Sequence, residues 1–218
     1  MHTRVDAILI GKVKSFGPKG QLSAYRKSSI DADVTVTTLG LQGDEQADLK
    51  NHGGKDKAIM HYAFDHYFAW QQDRLDLNEH LQYPGAFGEN ISTHGFTEDQ
   101  ICIGDQFKLG SAVIEVSQGR QPCWKLGHKF SDQNMLREVI TTGRSGWYYR
   151  VLEEGNIQAG DSIELLSRSN PEWTVAKVFK LLIAGEKNTD AVQRLSKVSQ
   201  LSEHWRTRAQ KLSTKDEA

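Results

Sequence analysis

The sequence is poor in the residues that cross-link, kink or anchor a chain. Only two cysteines and four prolines occur among 218 residues, so a disulfide framework and a proline-rich linker are both excluded. No apolar run approaches the roughly 20 residues that a membrane-spanning helix requires. The formal net charge is -1, so composition indicates no basic surface for nucleic acid or membrane. We therefore expect a cytoplasmic protein that binds neither nucleic acid nor membrane.

Several motifs of well-known enzyme classes are missing as well. Neither G-x-G-x-x-G nor G-x-S-x-G occurs, which argues against a dinucleotide-binding fold and against a serine hydrolase. His61 and His66 do not form H-E-x-x-H, and Cys102 and Cys123 do not form C-x-x-C, so a zinc site is not expected. No flavin, haem or iron–sulfur motif is present, so redox chemistry would need electrons from another protein.

Glycine is abundant, with 19 residues, and it separates short apolar stretches. These stretches predict strands at residues 5–13, 33–39, 58–62, 100–103, 107–109, 112–117 and 162–166. Many short strands between glycine turns are typical of a barrel or a sandwich, because closing the sheet removes its exposed edges. Helices are predicted at residues 63–82 and 131–141, the second with Ser131 as its N-cap.

The pattern changes after Pro171, where apolar residues recur with helical spacing. Three short helices are predicted there, the first capped by Thr174, the second starting at Thr189 or Asp190, and the third opened by Ser202. We therefore predict a mainly β barrel domain over residues 1–168 and a three-helix subdomain over residues 171–213. Residues 214–218 are predicted to form a disordered tail.

The most informative stretch for chemistry is SQGRQPCWKLGHKF, residues 117–130. It contains no acidic residue, and its cations are Arg120, Lys125 and Lys129. Such surroundings favour a thiolate, so Cys123 is a candidate nucleophile or soft-metal ligand. The alternative is a small buried side chain packed beside Trp124. Cys102, which lies between two isoleucines, is interpreted as a core residue.

A second stretch, residues 41–62, combines two glycines with several cations. Gly53 and Gly54 follow His52 and allow a ligand to approach the backbone, while Lys55 and Lys57 bring positive charge. This pattern is typical of an anion-binding loop, but the nucleotide-binding motif G-x-x-x-x-G-K-[ST] is missing. A glycine hairpin with solvated lysines remains the alternative.

Six segments together resemble the MOSC-domain family of the YiiM type, the 6-N-hydroxylaminopurine resistance proteins. They are SAYRK (23–27), GLQGDEQADLKNHGGKDKAIMHY (40–62), FGENISTHG (87–95), IGDQF (103–107), SQGRQPCWKL (117–126) and GWYYRVLEEGNIQAGDSIEL (146–165). The resemblance covers most of residues 5–168, and the three C-terminal helices are similar to the small helical appendage of that family. One departure is Gly119, which stands where a proline is expected.

The resemblance implies a MOSC-type β-barrel with interspersed helices that binds a molybdenum cofactor (molybdopterin). The metal would be held by a cysteine thiolate, and the matching position is Cys123, which would be both metal ligand and catalytic residue. The resemblance further implies a set of residues that line the cofactor pocket: Lys27, His52, Lys57, Asn90, Arg120 and Lys125.

The implied activity is reduction of N-hydroxylated compounds, such as 6-N-hydroxylaminopurine to adenine, which would detoxify base analogues. The expected partners are a small N-hydroxylated substrate and a separate electron-donating reductase, for which we expect a flavoprotein; a homodimer is compatible with the sequence. Two alternatives use the same pocket. One is a non-catalytic carrier of the molybdenum cofactor or of sulfur, and the other is a barrel that only binds an anionic ligand.

Overall fold

The computed structural model of the chain describes residues 1–214, except for the side chains at positions 50 and 51. The predicted disordered tail at 214–218 lies, apart from Thr214, outside the described residues. No helix over residues 1–214 is long and apolar enough to span a membrane.

The described residues form thirteen strands. The first seven are β1 (His2–Gly11), β2 (Lys14–Ser15), β3 (Leu22–Ser23), β4 (Lys27–Ser29), β5 (Val34–Thr37), β6 (Gly40–Leu41) and β7 (Ile59–Ala63). The others are β8 (Ile91–Thr93), β9 (Gln106–Leu109), β10 (Ala112–Gly119), β11 (Trp147–Glu153), β12 (Gly155–Ile157) and β13 (Ser162–Ser167).

Seven of these strands close into a barrel in the order β13-β9-β10-β11-β7-β8-β1, and β1 pairs back onto β13. Neighbouring strands are antiparallel, except that β7 and β8 are parallel. β4 pairs with the C-terminal part of β1. Closure leaves the seven strands with paired edges. The prediction of a mainly β, barrel-like fold is therefore confirmed.

One strand prediction is wrong. Residues 100–103 form no strand, since Cys102 makes only an isolated bridge with Thr174. The Asp105 carboxylate instead accepts a hydrogen bond from the Cys102 amide at 2.8 Å and shapes a turn. Two strands of the barrel were not predicted: β8, which pairs with β1 and β7, and β11, which pairs with β10 and β7.

Four α-helices lie within the barrel part of the chain: α1 (Leu49–His52), α2 (Asp65–Asp73), α3 (Trp124–Lys129) and α4 (Met135–Thr142). Two 3₁₀ helices cover Lys55–Lys57 and Leu75–Leu81. The predicted helix over 63–82 is broken at Arg74, whose guanidinium binds the carboxylates of Asp76, Asp132 and Glu138. The second predicted helix starts later than expected, because Ser131 has a φ of 53° and Asn134 precedes the first helical turn.

The last three helices are α5 (Val175–Leu182), α6 (Thr189–Leu195) and α7 (Glu203–Ser213). The Thr174 and Ser202 side chains accept hydrogen bonds from the first turns of α5 and α7, as predicted. Asn188 does the same for α6. The apolar faces of these helices share one continuous core with the barrel. The division into domains at residues 168 and 171 stays a prediction.

Candidate functional site

Segments that are far apart in the sequence meet at one open pocket. They are residues 23–27, 46–60, 87–90 and 120–125, together with Tyr148 of β11. The pocket holds about 530 Å³ of empty space, its open mouth included. The pocket lining includes all the predicted site residues: Lys27, His52, Lys57, Asn90, Arg120, Cys123 and Lys125. The structure brings these residues together, while their roles stay predictions.

Cys123 lies on the pocket wall between β10 and α3. Its backbone is extended, with φ -138° and ψ 173°, and its side chain is partly exposed. The neighbouring Trp124 is 42% exposed and packs its ring against Phe16 and His128. Cys102, in contrast, is buried, and burial raises the pKa of its thiol. The cysteine beside the pocket is therefore the one that a ligand can reach.

Arg120 has a buried guanidinium that is only partly hydrogen-bonded. The residue is 4% exposed, and its Nη2 donates to the carbonyl of Phe87 at 3.1 Å and contacts the Tyr25 hydroxyl at 3.5 Å. Its Nη1 is buried and has no hydrogen-bond partner within the described residues. Because an unsatisfied buried donor is unfavourable, this atom is the strongest sign that the pocket accepts an anionic or polar ligand.

Lys27 and Asn90 are arranged differently, because both bind a carboxylate of the chain itself. Lys27 Nζ lies 2.5 and 2.6 Å from the two carboxylate oxygens of Asp44. Asn90 Nδ2 donates to Asp44 at 2.9 Å and to the Leu9 carbonyl, while its Oδ1 accepts from the Met60 amide. These two residues therefore hold the pocket wall together. Asp44 was missed in the sequence, although it stands inside the G-D-E part of the segment at 40–62.

His52, Lys57 and Lys125 are the other basic residues of the lining. Burial and the neighbouring Lys125 charge lower the pKa of His52 to about 4. Burial also lowers the pKa values of the Lys57 and Lys125 ammonium groups. The alternative of a glycine hairpin is wrong here, since Gly54 leads from α1 into the 3₁₀ helix and Lys57 lines the pocket. A bound anion would offset the repulsion between the Lys125 and Arg120 charges.

Two buried glutamates position the loops around Arg120, and sequence reasoning missed both. The Glu89 carboxylate accepts hydrogen bonds from the amides of Gly85 and Phe87 and from the Tyr67 hydroxyl. It thereby fixes the loop whose carbonyl at position 87 receives Arg120. The only signal in the sequence was the polar G-E-N turn, and a local motif does not show which backbone amides a carboxylate will reach.

The second glutamate, Glu98, holds the loop that precedes β11. Its carboxylate accepts from the Ser145 and Gly146 amides at 2.8 and 2.6 Å and lies 2.6 Å from His66 Nε2. The Gly146 carbonyl in turn accepts from the Arg120 amide at 2.9 Å. Glu89 and Glu98 thus fix the two backbone segments that contact Arg120, the loop at Phe87 and the loop at Gly146.

The fold and the pocket define a barrel protein of a known class. Residues 48–164 match the sequence model of the MOSC domain, and residues 173–212 match the YiiM-like, 3-alpha helix domain. The chain therefore belongs to the MOSC-domain family. It is 38% identical over 211 residues to protein YiiM of Escherichia coli (strain K12), an alignment that covers 97% of this chain and 92% of that protein. The family resemblance of the six segments is confirmed.

Two further proteins show how far the similarity reaches. The crystal structure of YiiM from Geobacillus stearothermophilus matches with a TM-score of 0.81 and 31% identity, covering 97% of this chain and 99% of that one. A protein named reductase from Gibberella moniliformis (strain M3125 / FGSC 7600) is 40% identical over 176 residues. That alignment covers 80% of this chain but only 31% of the fungal protein. MOSC domains are associated in general with binding of the molybdenum cofactor.

Proposed function

We propose that this protein is a molybdenum-cofactor-dependent reductase of N-hydroxylated compounds. 6-N-hydroxylaminopurine, reduced to adenine, is the substrate we would test first, and detoxification of base analogues would be the consequence. The observation that carries the proposal is the meeting of Cys123 with Arg120 and Lys125 in one pocket. Family membership supports cofactor binding, and the fungal relative named reductase supports an oxidoreductase role.

The pocket residues fit the chemistry of this cofactor. A cysteine thiolate is a soft ligand of the kind that suits a thiolate-rich metal centre, and Cys123 would hold the molybdenum. The unpaired Nη1 of Arg120 and the ammonium groups of Lys57 and Lys125 would bind the cofactor phosphate through charge-assisted hydrogen bonds. Lys27 and Asn90 would stabilise the pocket wall through their hydrogen bonds to the Asp44 carboxylate.

When bound, the cofactor would supply the electron pair that breaks the N–O bond, so that R–NHOH, two electrons and two protons become R–NH₂ and water. The residues of the chain bind and orient the reactants. His52 is neutral at pH 7, since its pKa is about 4, and it offers hydrogen bonds without adding charge. We propose that a separate cytoplasmic flavoprotein provides the electrons.

The proposal is tested by replacing the thiol. Wild type and the Cys123→Ser variant would be purified from a host that makes the cofactor, and molybdenum and pterin would be measured per chain. Reduction of 6-N-hydroxylaminopurine would be followed with reduced methyl viologen as the electron donor. We expect Cys123→Ser to lose the metal and the activity while its melting temperature stays close to that of wild type.

The matched control is Cys102→Ser, because Cys102 is buried away from the pocket and its replacement should leave most of the activity. Full activity in Cys123→Ser would refute the proposal. Stoichiometric release of cofactor without turnover would identify a carrier instead, and wild-type protein without molybdenum would indicate a barrel that only binds an anionic ligand.

A further inference from the structure

Tyr148 is a pocket residue to which no motif assigns a role. Its neighbours in β11, Trp147 and Tyr149, are fully buried and belong to the barrel core. Since successive side chains of a strand point to opposite faces, Tyr148 points away from that core. On this other face it lines the pocket together with Cys123 and Arg120.

The barrel holds the Tyr148 backbone firmly. Tyr148 is paired with Gln118 of β10 on one side and with Met60 of β7 on the other. Its carbonyl accepts a hydrogen bond from the Ser117 hydroxyl at 3.1 Å. Groups on such strands are positioned more accurately than groups on loops, so the ring has a defined place in the pocket wall.

The Tyr148 hydroxyl differs from those of the other tyrosines in the interior. Each of the others has a partner: Tyr25 donates to the Ala86 carbonyl, Tyr62 to the Arg144 carbonyl, Tyr67 to Glu89, and Tyr149 lies 3.0 Å from His61 Nδ1. Tyr148 is held through its backbone, and its ring lies near Arg120 and Cys123. Over residues 1–214, its hydroxyl makes no hydrogen bond to another residue.

The phenol is also in the state that can donate. Burial raises the pKa of the Tyr148 phenol. A phenol whose ordinary pKa is about 10 keeps its proton at neutral pH in any case. A protonated phenol on a half-buried pocket wall can donate a hydrogen bond to a ligand that brings an acceptor.

We propose that Tyr148 is a specificity-determining residue whose hydroxyl donates a hydrogen bond to the oxygen of the substrate N–OH group. This inference rests on the proposed function. In the reaction, R–NHOH, two electrons and two protons become R–NH₂ and water; the bound cofactor would supply the electron pair, which the reductase partner replaces. Tyr148 is not consumed. Because the product amine lacks that oxygen, the hydrogen bond exists with the substrate alone and favours the substrate over the product.

The size of the effect follows from ordinary hydrogen bonds. A neutral hydrogen bond contributes a factor of about five to an equilibrium constant, which corresponds to about 1 kcal/mol. Loss of the hydroxyl should therefore reduce the preference for an N-hydroxylated base over its parent amine about fivefold. Binding of the parent amine itself should hardly change, since the aromatic ring remains in place.

The test compares two ligands on protein that is not turning over. Oxidised, cofactor-loaded wild type and Tyr148→Phe would be titrated calorimetrically with 6-N-hydroxylaminopurine and with adenine, without an electron donor. We expect the ratio of the two Kd values to shrink about fivefold in Tyr148→Phe, with unchanged molybdenum content and melting temperature. The control is Tyr149→Phe, which removes a neighbouring hydroxyl directed at His61 and should leave the ratio unchanged.

The outcomes separate this inference from the proposed function. An unchanged ratio in Tyr148→Phe would overturn the inference and leave the reductase proposal intact. Loss of molybdenum from Tyr148→Phe would assign the hydroxyl to the cofactor and would also overturn it. If wild type neither binds nor reduces the N-hydroxylated base, the proposed function fails and the inference fails with it.

Discussion

At the scale of single residues, the buried cations of the pocket are of two kinds. Lys27 has its own counter-ion, because its ammonium group and the Asp44 carboxylate are 3% and 6% exposed and in contact. Arg120 has no carboxylate partner in the described structure, and one of its nitrogens lacks any hydrogen bond. Removing one partner of a buried pair leaves an uncompensated charge. Changes at Lys27 should therefore affect folding first, and changes at Arg120 should affect ligand binding first.

His61 provides a prediction about pH at the same scale. The ring is fully buried, contacts Tyr149 and Thr93 through its two nitrogens, and packs on Trp147. Burial lowers its pKa to about 3. Since this value lies below that of an unfolded histidine, the unfolded state binds the proton more readily. The stability contributed by the neutral ring is therefore present above pH 6.5 and is lost as the pH falls toward 3.

The unfolding free energy of wild type should fall as the pH is lowered from 6.5 to 4. We expect this fall to be less steep in His61→Gln, by up to about 1.4 kcal/mol per pH unit. Urea unfolding at several pH values would measure this slope. The control His2→Gln changes an exposed residue and should keep the slope of wild type. An equally steep slope in His61→Gln would show that other groups cause the acid sensitivity.

At the scale of elements, the loop between α4 and β11 binds the backbone of Arg120, because the Gly146 carbonyl accepts from the Arg120 amide. Gly143 and Gly146 both have left-handed backbones, with φ 74° and 76°. Gly146 also approaches β7 closely, because a Cβ atom there would lie 2.5 Å from the His61 carbonyl oxygen. At this position the Gly146 N–H donates to the Glu98 carboxylate and the Gly146 carbonyl accepts from the Arg120 amide.

This pair of glycines allows a matched test. Gly143→Ala should cost about 1 kcal/mol of unfolding free energy through its left-handed backbone alone, since no atom lies within 4 Å of its Cβ position. Gly146→Ala should cost about 2 kcal/mol more, because the β7 backbone must also move. Denaturant unfolding of both variants would measure the difference. Equal losses would mean that the close approach to β7 contributes nothing.

At the scale of the whole molecule, the three C-terminal helices complete the barrel core. A Cβ atom at Gly119 of β10 would lie 2.8 Å from Cη2 of Trp205 in α7, so the absence of a side chain at 119 makes room for the indole. The departure from the expected proline therefore has a structural consequence in this chain. Phe179 of α5 and Val116 of β10 belong to the same core as Trp205.

Removal of residues 171–218 should consequently destabilise the barrel. Each fully buried large apolar side chain contributes about 1.5–3 kcal/mol, and the helices bury many of them. Their combined loss is comparable to the 5–15 kcal/mol that stabilises a typical domain. We expect the truncated chain to melt at a lower temperature, to bind the dye ANS and to aggregate. An unchanged melting temperature would instead show that the barrel folds independently.

The sequence was sufficient to predict those elements that depend only on neighbouring residues. Thr174 and Ser202 were predicted as helix caps because a cap needs only the next three residues. The strands with regular alternation were predicted, since that pattern specifies a buried face. Cys123 was singled out because its charged neighbours are adjacent in the chain. Its place in the pocket nevertheless depends on segments from residue 23 to residue 148.

The tertiary structure alone decided what depends on distant partners. β11 follows a glycine-rich loop and becomes a strand because β10 and β7 supply its hydrogen bonds. Lys27 and Arg120 are both cations in the sequence, yet only folding gives the first a carboxylate and leaves the second without one. Propensity acts over a few residues, whereas charge pairing and burial depend on distances through space. The sequence by itself therefore determined the class of the fold and the set of candidate residues, and the fold determined the roles open to each.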